Sequence, residues 1–240
     1  YNCAAFNQDI SGWDVSSVTD MFGMFYQNSA FNQDIGDWDV YSVTDMHSMF
    51  SFCSNFNQDI NGWDVSNVDS MKRMFKSATS FNQDIGDWNV SSVTDMDSMF
   101  YRATSFNQDL GDWDVSNVTD MGSMFYRVSS FDQDISGWDV SNVTDMGQML
   151  RQTSFNQDIS GWDVSSVENM SSMFYATRFN QNLNSWDVSN VINFEAMFRN
   201  NSVFNGNISS WDVSNATKIR NMFGGGYVFN QDISSWDVSG

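Results

Sequence analysis

Tryptophan sets the frame of this chain. It stands at Trp13, Trp38, Trp63, Trp88, Trp113, Trp138, Trp162, Trp186, Trp211 and Trp236 and nowhere else, in steps of 25 residues with two of 24. A phenylalanine precedes each one by seven residues, from Phe6 to Phe229. The unit reads F-N-Q-D-I-x-x-W-D-V-S-[SN]-V-T-D-M-x-x-M-F, followed by about five variable residues. A unit this short cannot bury an apolar face alone, so its copies must stack and share one core. The expectation is a single solenoid over 1–240, ten coils with no linker and no second domain. Neither end reads as a polar capping unit, which points to a segment of a longer chain.

The spacing inside the unit predicts how each coil is built. Ile10, Trp13 and Val15 follow an L-x-x-L-x-L pattern, whose second half alternates as in a short strand. Val18, Met21, Met24 and Phe25 then recur at helical spacing. Ser or Asn stands before that valine (Ser17, Ser42, Asn67, Asn117) and Asp three residues later (Asp20, Asp45, Asp120), as in a helix N-cap with acids at the positive end. Lys76, Arg102, Arg127, Arg151 and Arg199 then fall near the expected helix C-terminus. The fold class expected is therefore an α/β repeat: a leucine-rich-repeat-like solenoid of about ten coils, with short parallel strands on one face and short α or 3-10 helices on the other. Helices need more room than strands, so the helical face implies curvature with the strands on the concave side.

The pairing of I-x-x-W-x-V with V-T-D-M-x-x-M-F resembles the BspA-like leucine-rich-repeat family. Residues 6–25 (FNQDISGWDVSSVTDMFGMF) and 131–150 (FDQDISGWDVSNVTDMGQML) carry its motif almost unchanged. The resemblance spans essentially the whole chain. It implies a cell-surface or extracellular adhesin or matrix component, with no targeting signal in the sequence itself.

Charge narrows the function classes. Ten Lys+Arg face 30 Asp+Glu, a formal net charge of −20. Phosphate binding needs clustered cations, so nucleic acid is not an expected partner. No apolar run reaches the ~20 residues of a membrane span, so this segment is not expected to insert. The aromatic content of 16% supplies enough apolar surface to exclude disorder.

Stacking turns each repeat position into a row. The Asn row (Asn7, Asn32, Asn57, Asn82, Asn107, Asn156, Asn180, Asn205 and Asn230, interrupted by Asp132) reads as a ladder that stabilises turns. The candidate functional row is the aspartate after each tryptophan: Asp14, Asp39, Asp64, Asp114, Asp139, Asp163, Asp187, Asp212 and Asp237, with Asn89 the exception. Carboxylates repeating every ~5 Å repel one another, so something must offset the repulsion. Either each accepts N–H bonds from the turn that follows, or the row holds calcium or a basic partner. A second acidic row (Asp9, Asp34, Asp59, Asp84, Asp109, Asp134, Asp158, Asp232) lies five residues earlier. No EF-hand loop is present, so no dedicated metal site and no cofactor are expected, only weak and diffuse calcium association.

Catalysis has little to work with. His47 is the sole histidine, at a variable position, and is expected at the surface. Cys3 and Cys53 share a repeat position two coils apart, ~10 Å, beyond disulfide reach, and read as small buried hydrophobes. The chain is expected not to be an enzyme. Of the N-x-[ST] sequons, Asn200 and Asn207 are the candidate glycosylation sites, because Asn117, Asn142 and Asn215 coincide with expected N-caps. The functional expectation is a non-enzymatic scaffold mediating adhesion or protein interaction through an acidic face. The alternative is a structural subunit of a filament, matrix or larger complex, built by end-to-end or lateral self-association, with Tyr26, Tyr101, Tyr126 and Tyr175 among the contacts.

Overall fold

The computed structural model describes residues 4–239, a stack of coils in which every coil hydrogen-bonds to the next. Tight turns carry the chain around each coil. In the second, Ile35–Trp38, Val40–Val43, Met46–Met49, Ser48–Ser51, Phe50–Cys53 and Cys53–Phe56 are each closed by a backbone N–H donating to the carbonyl three residues earlier. The pattern recurs coil after coil.

The expected helices are absent: among the described residues there is no helix and no sheet, which overturns the α/β leucine-rich-repeat fold. The M-x-x-M-F segment alternates instead. Met24, Tyr26 and Asn28 donate to carbonyls three residues back, while Met21, Gly23, Phe25 and Gln27 donate to Asp45, His47, Met49 and Ser51 of the next coil at 2.8–3.0 Å. Two turns per coil place a left-handed residue third, as at Ser48 (φ 58°) and Phe52 (φ 64°). Among the described residues sixteen that are not glycine adopt this conformation, a local cost repaid by the ladder to the next coil.

The physical reason lies in spacing. Extended segments stack ~4.8 Å apart, whereas helix axes need 8–10 Å. A run of turns keeps the shorter spacing and still points Val18, Met21 and Phe25 inward, so the stripe that looks helical is satisfied without a helix. Without helices on one side and strands on the other, no difference in spacing curves the stack toward a strand-lined concave face. Trp13–Val15 and its equivalents form no strand, and among the described residues parallel bridges occur only as an isolated row running from Asp20↔Asp45 to Asn193↔Lys218. The expected N-caps cap nothing: Ser42 Oγ donates to the carbonyl of Ser16, and Asn67, Asn117 and Asn142 Nδ2 donate to Tyr41, Ser91 and Ser116, all one coil back.

The core is a column of like residues. Trp63 and Trp88 lie 6.4 Å apart and 2° from parallel, Phe50 and Phe75 5.6 Å, and Phe56 and Phe81 5.9 Å. Each buried indole also donates Nε1–H to the Ile or Leu carbonyl of the coil before, as Trp88 does to Ile60 (3.1 Å) and Trp138 to Leu110 (2.9 Å). That bond ties the largest side chain to the neighbouring backbone and keeps the buried indole N–H paired. Cys53 is fully buried, its Sγ–H donating to the Phe25 carbonyl, and burial pushes its thiol pKa up to about 12. Cys3 lies outside the described residues.

Candidate functional site

The outer acidic rows are Asx turns repeated at fixed places in the coil. In the row after tryptophan, Oδ1 accepts the backbone N–H two residues on: Ser16 to Asp14 (3.1 Å), Tyr41 to Asp39 (3.2 Å), Ser116 to Asp114 (3.1 Å) and Ser214 to Asp212 (3.0 Å). Asp64, Asp139, Asp163, Asp187 and Asp237 do the same. Asn89 keeps the bond with its amide oxygen, accepting from Ser91. Where a serine hydroxyl adds a second bond, as Ser116 Oγ does to Asp114 (2.6 Å), the charged form gains further. The Ser16 hydroxyl and backbone N–H hold Asp14 below the usual carboxylate range, and the Ser66 and Ser116 pairs do so for Asp64 and Asp114. Asp9, Asp134 and Asp158, in the earlier row, are lowered by the backbone N–H and hydroxyl of Ser11, Ser136 and Ser160.

Both rows are exposed throughout, and among the described residues no lysine or arginine comes within ion-pair distance of either. Each aspartate thus has one oxygen fixed in a turn while its charge stays unneutralised. The rows sit on rigid turns, so their charges are positioned before any partner arrives.

A third row differs. Asp95, Asp120 and Asp145 lie partly buried in the bridge row, with Asp97 beside them. Lys72 Nζ bridges Asp95 (3.1 Å) and Asp97 (3.3 Å) at one end, and Asn169 Nδ2 donates to both oxygens of Asp145 (3.0 and 3.1 Å) at the other. Burial raises Asp120 above the usual carboxylate range despite the N–H of Gly122, with the charges of Asp97, Asp145 and Asp95 adding to the rise. Burial also works against the Lys72 charge, yet the hydrogen bond to Asp95 and the charges of Asp95 and Asp97 outweigh it and hold its pKa high. Among the described residues no group of three or more acidic, histidine or cysteine side chains is arranged to hold a metal ion.

The cations gather elsewhere. Lys76, Arg102, Arg127 and Arg151 sit in the turns after Phe75, Phe100, Phe125 and Leu150, on the faces of tyrosine rings rather than at a helix terminus. Lys76 lies 4.9 Å from the Tyr101 ring, Tyr101 stacks on Tyr126 at 4.5 Å, and Arg151 lies between Tyr126 (5.3 Å) and Tyr175 (4.1 Å). Arg102 and Arg127 flank the same rings at 5.4 and 5.5 Å. Burial, together with the charges of Arg73 and Arg102, pushes Lys76 below its usual pKa.

Sequence reasoning singled out these cations and tyrosines separately and missed that they form one ladder; their recurrence at adjacent repeat positions was the available signal. It also missed the glutamine row, in which Gln58, Gln83 and Gln108 Nε2 donate to the carbonyls of Asn32, Asn57 and Asn82 one coil back. The asparagine row is a ladder, but between coils: Asn57 N–H donates to Asn32 Oδ1 and Asn82 N–H to Asn57 Oδ1, each at 2.9 Å. His47 is half-buried against the edge of Phe22 (5.0 Å) rather than free at the surface, and burial lowers its pKa. Asn200 is exposed, with Nδ2 bonded to the Tyr175 hydroxyl, and Asn207 is partly buried, accepting from Ser209 N–H. A depression of about 700 Å³ at the first coil is lined by Phe22 and by Phe6, Trp13 and Phe25, the last three continuing the core rows.

The family described as "Mycoplasma protein of unknown function, DUF285" matches at residues 1–111, 82–178, 103–205 and 151–240, overlapping spans that together cover every coil. This chain belongs to that family. No curated protein and no solved structure matches it. The overlapping matches agree with the tandem repeat, and no helix among the described residues is long and apolar enough to cross a membrane.

Proposed function

We propose that the chain is a non-enzymatic interaction scaffold that presents its outer acidic rows to a basic partner, in an extracellular or cell-surface setting. The observation that carries this is the state of the two rows: exposed, unneutralised and held in position by turn hydrogen bonds at every coil. A scaffold that only needed solubility would gain as much from mobile surface charge; here the carboxylates are ordered, which lowers the entropic cost of meeting a cationic surface. The motif's resemblance to BspA-like surface repeats supports the adhesive or matrix setting.

Oligolysine titrated calorimetrically into the full chain tests the reading. Binding is expected, weakening steeply with salt and weakening again in Asp114→Asn/Asp139→Asn/Asp163→Asn, which removes three charges. Asn89 already shows that asparagine keeps the turn. Binding unchanged in that variant, or no binding at all, overturns the proposal.

A further inference from the structure

The cationic ladder is unusual in a chain of charge −20. Of its members, Arg102 and Arg127 are exposed, and none is neutralised by a carboxylate; the ion pairs among the described residues use only Lys72 and Arg73. The guanidinium carbons of Arg102, Arg127 and Arg151 lie over tyrosine rings, and Arg127 Nε donates to Gln152 Oε1 (2.8 Å), which holds that side chain in place. A guanidinium held by its face keeps N–H donors at its edge for a carboxylate.

Over the four successive coils that carry Lys76, Arg102, Arg127 and Arg151, the ladder shares the axial period of the acidic rows, because both belong to the same stack. The residues that carry it lie about half a coil further along the chain than the aspartates after tryptophan, as Arg127 does from Asp114. We infer that the basic partner of the acidic face is a second copy of this chain, whose Lys76–Arg102–Arg127–Arg151 ladder docks sideways along the Asp114–Asp139–Asp163–Asp187 row. This rests on the acidic-face reading and names its occupant. Pitch is the deciding argument. Two identical stacks bring charge to charge over several coils with no adjustment, whereas a flexible polyanion on the ladder would have to be ordered into that spacing. A contact between unlike faces leaves one ladder and one row free on the pair, so assembly continues past the dimer.

Net repulsion and local attraction respond differently to salt. The repulsion between two strongly anionic bodies acts across the whole molecule and is screened first, since the Debye length is about 8 Å at physiological ionic strength. Touching rows lie inside that length. Association therefore passes through a maximum at intermediate salt and falls on both sides.

Sedimentation equilibrium of the full chain, across protein and salt concentrations, reads this directly. The expected result is a weight average that rises past the dimer with concentration and peaks at intermediate salt. Arg102→Gln/Arg127→Gln should weaken association by roughly tenfold or more. Gln27 and Gln152 already occupy that repeat position at φ 60° and 59°, so the backbone accepts glutamine there. Asp114→Asn/Asp139→Asn/Asp163→Asn should weaken it comparably. A mixture of the two variants should regain association, limited to pairs, because each still carries one intact partner surface. A monomer under all conditions overturns the inference, as does association that neither variant weakens. Oligolysine binding separates the two claims: retained beside a monomeric chain, it leaves the acidic face standing and removes only the self-partner, and lost, it removes both.

Discussion

The outer and inner acidic rows use the same side chain in the same local motif and behave in opposite ways. Asp114 accepts the N–H of Ser116 and Asp120 accepts the N–H of Gly122, each two residues on. Asp114 is exposed and lowered by those bonds; Asp120 is partly buried among three other carboxylates and raised by that burial. The turn hydrogen bond is therefore a constant of the repeat, and exposure and neighbours decide what it achieves. Outside, water screens the charge and the row remains free for a partner. Inside, the charge must be met by Lys72 at one end and Asn169 at the other.

Lys72 should have the largest effect. Lys72→Met leaves Asp95 and Asp97 without their cation and should lower stability by about 1–2 kcal/mol, a figure already reduced for the partial exposure of the pair. Thermal unfolding beside an outer-row variant checks it; no difference between them would erase the distinction between the rows.

Asp120→Asn should act in the other direction. The amide oxygen can still accept the Gly122 N–H, as Asn169 does from Ser171 at the equivalent position, while the buried charge is removed. A rise in melting temperature of about 2–4 °C is expected, and a fall would mean that the charge is needed there.

The two rows also predict a pH profile with two limbs. Asp120 titrates above its unfolded value, so its penalty is present at neutral pH and lifts as pH falls through its raised folded pKa toward the unfolded one. Asp14, Asp64 and Asp114 titrate below theirs, so the stability they contribute is present above the unfolded carboxylate pKa and lost as pH drops through the lowered folded values. Melting temperature should rise on mild acidification and collapse below about pH 4. Asp120→Asn should flatten the first limb and spare the second.

The smallest effect belongs to calcium. Rows of unpaired carboxylates gather divalent ions more strongly than monovalent ones, so millimolar calcium should raise the melting temperature by more than sodium at equal ionic strength. Asp114→Asn/Asp139→Asn/Asp163→Asn should reduce the difference, and equal shifts from the two ions would remove cation association from the account.

Part of this architecture is legible residue by residue. The recurrence of Phe56, Ile60, Trp63 and Val65 in ten copies identifies the core, because only stacking can bury so many aromatic rings in units so short. Aspartate two residues before a turn N–H announces the Asx bond, a purely local matter. Other features are not local. Val18, Met21, Met24 and Phe25 have helical spacing because inward-pointing residues in a run of tight turns fall at similar intervals, and periodicity alone cannot separate the two. The division of aspartates into outer and inner rows depends on where the stack folds Asp95 and Asp97 against Lys72 of the coil before, and Asp120 beside Asp95, Asp97 and Asp145.

The amino-acid sequence thus determines the repeat, the core residues and the turn-forming role of each aspartate, since these follow from period and from contacts within a few residues. Tertiary structure alone decides that no helix forms, because each coil must donate its N–H groups to the next at a spacing too short for helices. It also decides which charges remain free, because that depends on neighbours from other coils.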